Sequence, residues 1–108
     1  MLMTAIKTDT ATPVAAVPPR EFLSTLVWIK ADGLSTAGTQ SVIEILAPAG
    51  WATPWHNHLT HDEYFYILEG EVTAQVGDTR VVLRPGDYAF GPRGVPHGYR
   101  VTGSGPAR

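Results

Sequence analysis

Four histidines occur in the 108-residue chain, and three of them fall in one short stretch, His56-Asn57-His58-Leu59-Thr60-His61-Asp62-Glu63. The fourth, His97, closes a stretch punctuated by glycine and proline that begins at Gly86. Successive side chains of a strand alternate between faces, so His56 and His58 project from one face and Asn57 from the other. Glu63 lies an odd number of positions beyond His58 and joins the pair only if the chain reverses between them. The polar run Leu59 to Asp62 is suited to that turn. Neutral imidazole with carboxylate is a ligand set for one divalent transition metal such as Fe, Mn, Ni, Cu or Zn. A further nitrogen from His97 would complete a 3-His-1-Glu site, with bond lengths of about 2.0–2.2 Å.

Placed against known motifs, the two stretches resemble the two conserved motifs of the cupin superfamily. Gly50, His56, His58, Glu63 and Gly70 occupy every fixed position of the first motif. Gly86, Pro92, Gly94 and His97 fit the second, and Val101 stands where that motif carries asparagine. The departure touches the position least needed for ligation, so His97 is retained as a ligand. Only 15 residues separate Gly70 from Gly86, as in compact single-domain microbial cupins, and the resemblance covers roughly residues 39–101. It implies an all-β, single-domain, jelly-roll-like barrel holding the metal. Small quercetin-dioxygenase-like proteins are the most similar branch, which implies an oxidoreductase acting on a small aromatic or enolic compound. In that reading Glu63 doubles as metal ligand and catalytic proton acceptor. A non-catalytic metal-dependent sensor, or a cupin isomerase or decarboxylase, uses the same fold.

Two further features of the histidine-rich stretch bear on this reading. His61 matches no motif position and reads as an exposed turn residue. Taking His56, His58, His61 and Asp62 as a metallohydrolase box puts Asp and His in the wrong order, and 108 residues are too few for that αβ/βα scaffold.

The elements that must position these residues are short strands. The chain is long enough for one core and not two. Gly 11 and Pro 9 are distributed between short apolar runs, as a many-turned β-domain requires. A formal charge of −2 offers no footprint for nucleic acid or an anionic membrane, and no apolar run is long enough for a transmembrane helix. The absence of cysteine removes thiolate ligands and disulfides and fits a cytoplasmic protein.

Residues 1–20, rich in Thr, Ala and Pro, read as a flexible or arm-like segment, and residues 21–108 as the barrel. Strands are expected over Glu21–Lys30, Thr39–Leu46, Glu63–Leu68, Val72–Val76, Thr79–Leu83, Tyr88–Gly91 and Val95–Val101. Glu44 interrupts an apolar strand, either near the metal or outward in solvent. Parity from Glu63 sends Phe65 and Ile67 inward and Tyr64, Tyr66 and Leu68 outward; parity from His97 sends Tyr99 and Val101 inward. Trp51, Trp55, Phe65, Phe90 and Tyr99 are the expected walls of a small-molecule pocket. Cupins of this kind usually continue past the equivalent of Gly103 to Arg108 into a further strand that closes the barrel, so the barrel is expected to lack its last strand unless the N-terminal arm or a partner supplies one. An open edge and a greasy outer face together predict a homodimer.

Overall fold

In the computed structural model, residues 18–108 are described; they form eight β-strands and, among the described residues, no helix. The strands are β1 (Arg20–Phe22), β2 (Thr25–Ala31), β3 (Val42–Leu46), β4 (Glu63–Tyr66), β5 (Val72–Val76), β6 (Thr79–Leu83), β7 (Tyr88–Gly91) and β8 (His97–Val101). All pairings are antiparallel, in sheets of order β1-β2-β3, β4-β7 and β6-β5-β8. The expectation of an arm or disorder over residues 1–20 falls almost entirely on 1–17, outside the described residues.

Alternation does most of the construction. In β5, Val72 and Ala74 are buried while Thr73 and Gln75 are only partly so, and β4 continues into a buried Ile67 with Tyr64, Tyr66 and Leu68 outside. The core gathers Ala47, Ile67, Val72, Ala74, Leu83, Ala89, Val101 and Ala107, with Ile45, Trp51, Phe65 and Tyr99 packed against it. Four of the eight buried members are alanines, so the sheets meet without filling the space between them.

One expected strand is two. The run Glu21–Lys30 breaks at Leu23 and Ser24, which both take positive φ (47° and 67°) and make a tight hairpin that pairs Phe22 with Thr25. A two-residue turn of this hand normally carries Asn or Gly, and neither is present to signal it. Two bonds hold it instead. Thr25 Oγ1 donates to Phe22 O, and the Trp51 indole Nε1 donates to Leu23 O at 2.7 Å. Further along, the β2–β3 register slips between Ile29 and Ala31, leaving Lys30 unpaired in a bulge.

The segment Gly103 to Arg108 folds back across the barrel. Ala107 and Ala47 exchange backbone hydrogen bonds at 2.9 Å each, while Leu68 N donates to Arg108 O at 2.8 Å and Arg108 N to Glu69 O at 2.9 Å. The edge expected to stand open therefore carries a short pairing on both sides. Gly70 makes this approach possible: its φ is +80°, and a Cβ there would lie 2.5 Å from Pro106 O and 2.8 Å from Ala107 Cα. Gly70→Ala combines left-handed backbone strain with a clash against main chain, and is expected to cost at least about 2 kcal/mol. Urea denaturation followed by tryptophan fluorescence checks it, and an unchanged midpoint would contradict the close approach.

Candidate metal centre

The segment from Gly50 to His56 runs antiparallel along β8 without the unbroken ladder of a strand, because Pro54 has no N–H to contribute. Contacts recur along it: Gly50 N to Val101 O at 3.0 Å, Val101 N to Trp51 O at 2.8 Å, and Thr53 N to Tyr99 O at 3.0 Å. They end in a reciprocal pair, His56 N to His97 O at 3.0 Å and His97 N to His56 O at 2.7 Å. Directly opposed residues of an antiparallel pair send their side chains to the same face. Two histidines 41 positions apart are thereby placed ring to ring, with centroids 4.6 Å apart.

His58 and Glu63 complete the group. The His58 ring lies 5.1 Å from His56 and 5.6 Å from His97. Glu63 Oε2 sits 2.8 Å from the Nε2 atoms of both His58 and His97 and 3.8 Å from that of His56. One ligand atom from each of the four residues lies within 4.8 Å of all the others. His97 is 1% exposed, whereas the side chains of His56, His58 and Glu63 are about one-third exposed, so the cluster has a closed floor and an accessible side.

The donor set suits a divalent transition metal. His56 Nδ1 lies 2.7 Å from Pro54 O and His97 Nδ1 lies 3.0 Å from Val95 O. A ring whose Nδ1–H donates to a carbonyl is fixed in the tautomer that presents the Nε2 lone pair, and in both cases Nε2 faces the centre. Gly91 leaves room for one of these rings: a Cβ there would stand 3.2 Å from His97 Nδ1.

A clamp that sequence reasoning missed holds the two motifs together. Arg93 donates to Asp62 from its backbone N at 2.9 Å, from Nε at 3.2 Å and from Nη2 at 3.3 Å, and Gly94 N donates to His58 O at 2.7 Å. The corner before His97 is thus tied to the turn before Glu63. The only signal in the sequence was an acidic residue beside Glu63 and a basic one beside Gly94. Hydrogen bonds from Arg93 hold the Asp62 carboxyl below its usual range. A lowered folded-state pKa means the clamp's contribution is present above the ordinary aspartate range and disappears as pH falls through the lowered value.

The cavity beside the cluster measures about 320 Å³ and is lined by Glu63, Phe65 and Ile67 on one side and by Ile45, Tyr99 and Val101 among others. Tyr99 is pushed up to about 12 by burial and then by the nearby Glu63 charge, so its phenol stays a hydrogen-bond donor at neutral pH. Its ring lies 5.2 Å from Phe65 and 5.7 Å from Trp51.

Of the expected walls, Phe65 and Tyr99 line this cavity, and Trp51 backs Tyr99 without reaching the space itself. Phe90 is a correction: it is 47% exposed and lies across from Tyr64 on the outer face, because Ala89 and Gly91 are the inward residues of β7. Trp55 is another. As the neighbour of inward His56 it points away, 55% exposed, over Gly98 in a separate surface groove. His61 is exposed and its ring lies 4.3 Å from that of His58. Glu44 serves neither expected role, since it ion-pairs with Arg108 Nη1 at 2.9 Å.

Residues 42–108 match the family model described as Cupin domain, and the chain belongs to the cupin family. It is similar to quercetin 2,3-dioxygenase of Bacillus subtilis (strain 168), 33% identical over 73 residues that make up 68% of this chain and 22% of that protein. An uncharacterized protein of Methanocaldococcus jannaschii is 32% identical over 69 residues, 64% of this chain and 55% of the relative. The chain thus spans about a fifth of the length of the first and just over half of the second. A crystal structure of a predicted oxalate decarboxylase from Thermotoga maritima superimposes with a TM-score of 0.78, at 19% identity, over 84% of this chain and 86% of that one. That likeness is one of fold.

Outer partners of metal ligands are worth about 10–100-fold in affinity, and a clamp one step further out belongs at the low end of that range. Asp62→Ala is expected to weaken Zn²⁺ binding about tenfold, measured by competition with a chromophoric chelator, while the far-UV spectrum is retained. Unchanged affinity would mean the turn holds its shape without Arg93.

Proposed function

We propose that the protein is a metal-dependent, dioxygenase-like oxidoreductase that acts on a small aromatic or enolic compound at a mononuclear site. The observation that carries this reading is the convergence of His56, His58, His97 and Glu63 at the end of a largely apolar cavity. Four protein ligands leave two positions of a six-coordinate ion for small oxygen ligands. When bound, a divalent transition metal supplies Lewis acidity and, if redox-active, electron transfer toward dioxygen.

The chain's own residues do the rest. Phe65, Ile67 and Val101 offer an apolar wall against which a flat ring can be held and water excluded. Tyr99 remains protonated and can donate to an oxygen of the bound compound beside Glu63. Glu63 is the one member of the cluster that also lines the cavity, which makes it the group to accept a proton from a substrate hydroxyl. The 33% identity to a quercetin dioxygenase supports the reaction class, although it covers a small part of that enzyme.

Glu63→Gln is expected to abolish oxygen uptake across a panel of phenols and enols while plasma emission spectroscopy still finds metal in the purified protein. An undiminished rate would reject the proton-acceptor role. A metal-loaded wild type that binds such compounds but consumes no oxygen would favour a metal-dependent sensor instead.

The reading also includes a second copy of the chain. Tyr64, Tyr66, Tyr88 and Phe90 form one exposed aromatic face across β4 and β7, the kind of contiguous patch that marks an interaction surface. The double variant Tyr66→Glu with Phe90→Glu is expected to convert a dimer to a monomer in light scattering; a wild type already monomeric would remove the partner.

A further inference from the structure

We propose that His61 is a positioning residue of the metal centre: its ring lies against that of His58 and holds the plane of the one clustered histidine that no main-chain carbonyl fixes. This role rests on the metal-binding reading of the cluster and adds to it a residue outside the ligand set.

Two of the three imidazoles are locked in the same way. His56 Nδ1 lies 2.7 Å from Pro54 O and His97 Nδ1 lies 3.0 Å from Val95 O, in each case the carbonyl two residues back. For His58 that carbonyl belongs to His56, and it already accepts from His97 N at 2.7 Å in the backbone pair that opposes the two histidines. His58 Nδ1 has no hydrogen-bond partner among the described residues, and the side chain is 31% exposed. Its Nε2 meets Glu63 Oε2 at 2.8 Å. That contact selects one of the two flipped orientations of the ring, but a single contact at the tip leaves the ring free to rock about it. The partner of the second ring nitrogen is what ordinarily fixes a ligating histidine, and here that device is missing.

His61 supplies another. Its ring centroid lies 4.3 Å from that of His58 with the two planes inclined by 32°. The other rings around His58 are farther off, His56 at 5.1 Å and edge-on, His97 at 5.6 Å. Rings packed face against face at the shorter spacing oppose tilting of either one. The turn that presents them to each other is fixed at both ends. Gly94 N donates to His58 O at 2.7 Å, and Arg93 holds Asp62 through three hydrogen bonds. His61 Nδ1 reaches only Thr60 Oγ1, at 3.4 Å, and no nitrogen of His61 belongs to the group of ligand atoms that converge. What His61 contributes is therefore the face of its ring and not a donor atom.

Two measurements on the full chain test the role: Zn²⁺ affinity by competition with a chromophoric chelator, and the d–d spectrum of the Co²⁺-loaded protein. His61 is exposed, so substitutions there leave the core intact. His61→Ala is expected to weaken Zn²⁺ binding about fivefold and to shift the Co²⁺ bands, with the far-UV spectrum retained. His61→Phe keeps a stacking face and lacks both nitrogens; it should bring affinity to within about twofold of the wild type and restore the wild-type bands. Because His61 acts through His58, adding His61→Ala to His58→Ala should weaken binding by less than about twofold more. Wild-type affinity in His61→Ala, a Phe variant as weak as the Ala variant, or a full loss on adding His61→Ala to His58→Ala overturns the positioning role and leaves the metal reading standing. A wild type that takes up neither Zn²⁺ nor Co²⁺ removes the metal reading and this role with it.

Discussion

The reciprocal hydrogen bonds between the backbones of His56 and His97 are the constraint on which the site depends. They close the edge of a three-stranded sheet with a segment that is barely a strand, and they fix the register of that segment to the residue. A slip of one position would turn His56 to the outside and bring Trp55 in its place, because the side-chain period is two. The register is held from the other end as well, by Gly50 against Val101 and by the Thr53 hydroxyl accepting from Tyr99 N at 3.0 Å. The geometry of the histidine cluster is thus delegated to main-chain pairing, which is stiffer than any loop of this length.

Once the two imidazoles are opposed, the remaining members need only be brought to them. His58 follows by parity, and Glu63 follows from the turn that the Asp62–Arg93 clamp and the Gly94-to-His58 bond hold closed. The clamp is an exposed ion pair, a kind of contact that contributes little to global stability on average. Its value is local. It joins the two chain segments that carry the clustered residues, and it does so with three hydrogen bonds from one arginine, so its geometry is specified as well as its sign.

Much of this was legible in the sequence, and the reason is periodicity. The extents of β5, β6 and β7 follow from alternation bounded by Gly, Pro and Asp, and the four clustered residues from spacing that a small number of families share. What escaped was structure without a local code. The hairpin at Leu23 and Ser24 adopts positive φ with residues that do not ask for it, and it is held by an indole 28 positions away. Arg108 meets Glu44 and Trp28 only through the fold. Phe90 and Trp55 fall outside because parity carried across a turn depends on where each strand begins; the inward residues of β7 are the small Ala89 and Gly91, and Gly91 leaves room for the His97 ring.

That smallness extends through the barrel. Ala47 and Ala107 line the cavity of about 320 Å³, so its volume owes something to small side chains in the core as well as to the spacing of the sheets. Cavities in apolar cores cost on the order of 24 cal/mol per Å³, so a dry void of this size would cost roughly 8 kcal/mol, comparable with the whole stability of a small domain. A chain could not keep such a void sealed and remain folded. Charged lining by Glu63, Lys30, Glu44 and Arg108 keeps this space from being a sealed apolar void, so that cost does not apply in full. Small residues such as Ala47 and Ala107 weaken the core and leave the cavity beside Glu63 by the same means.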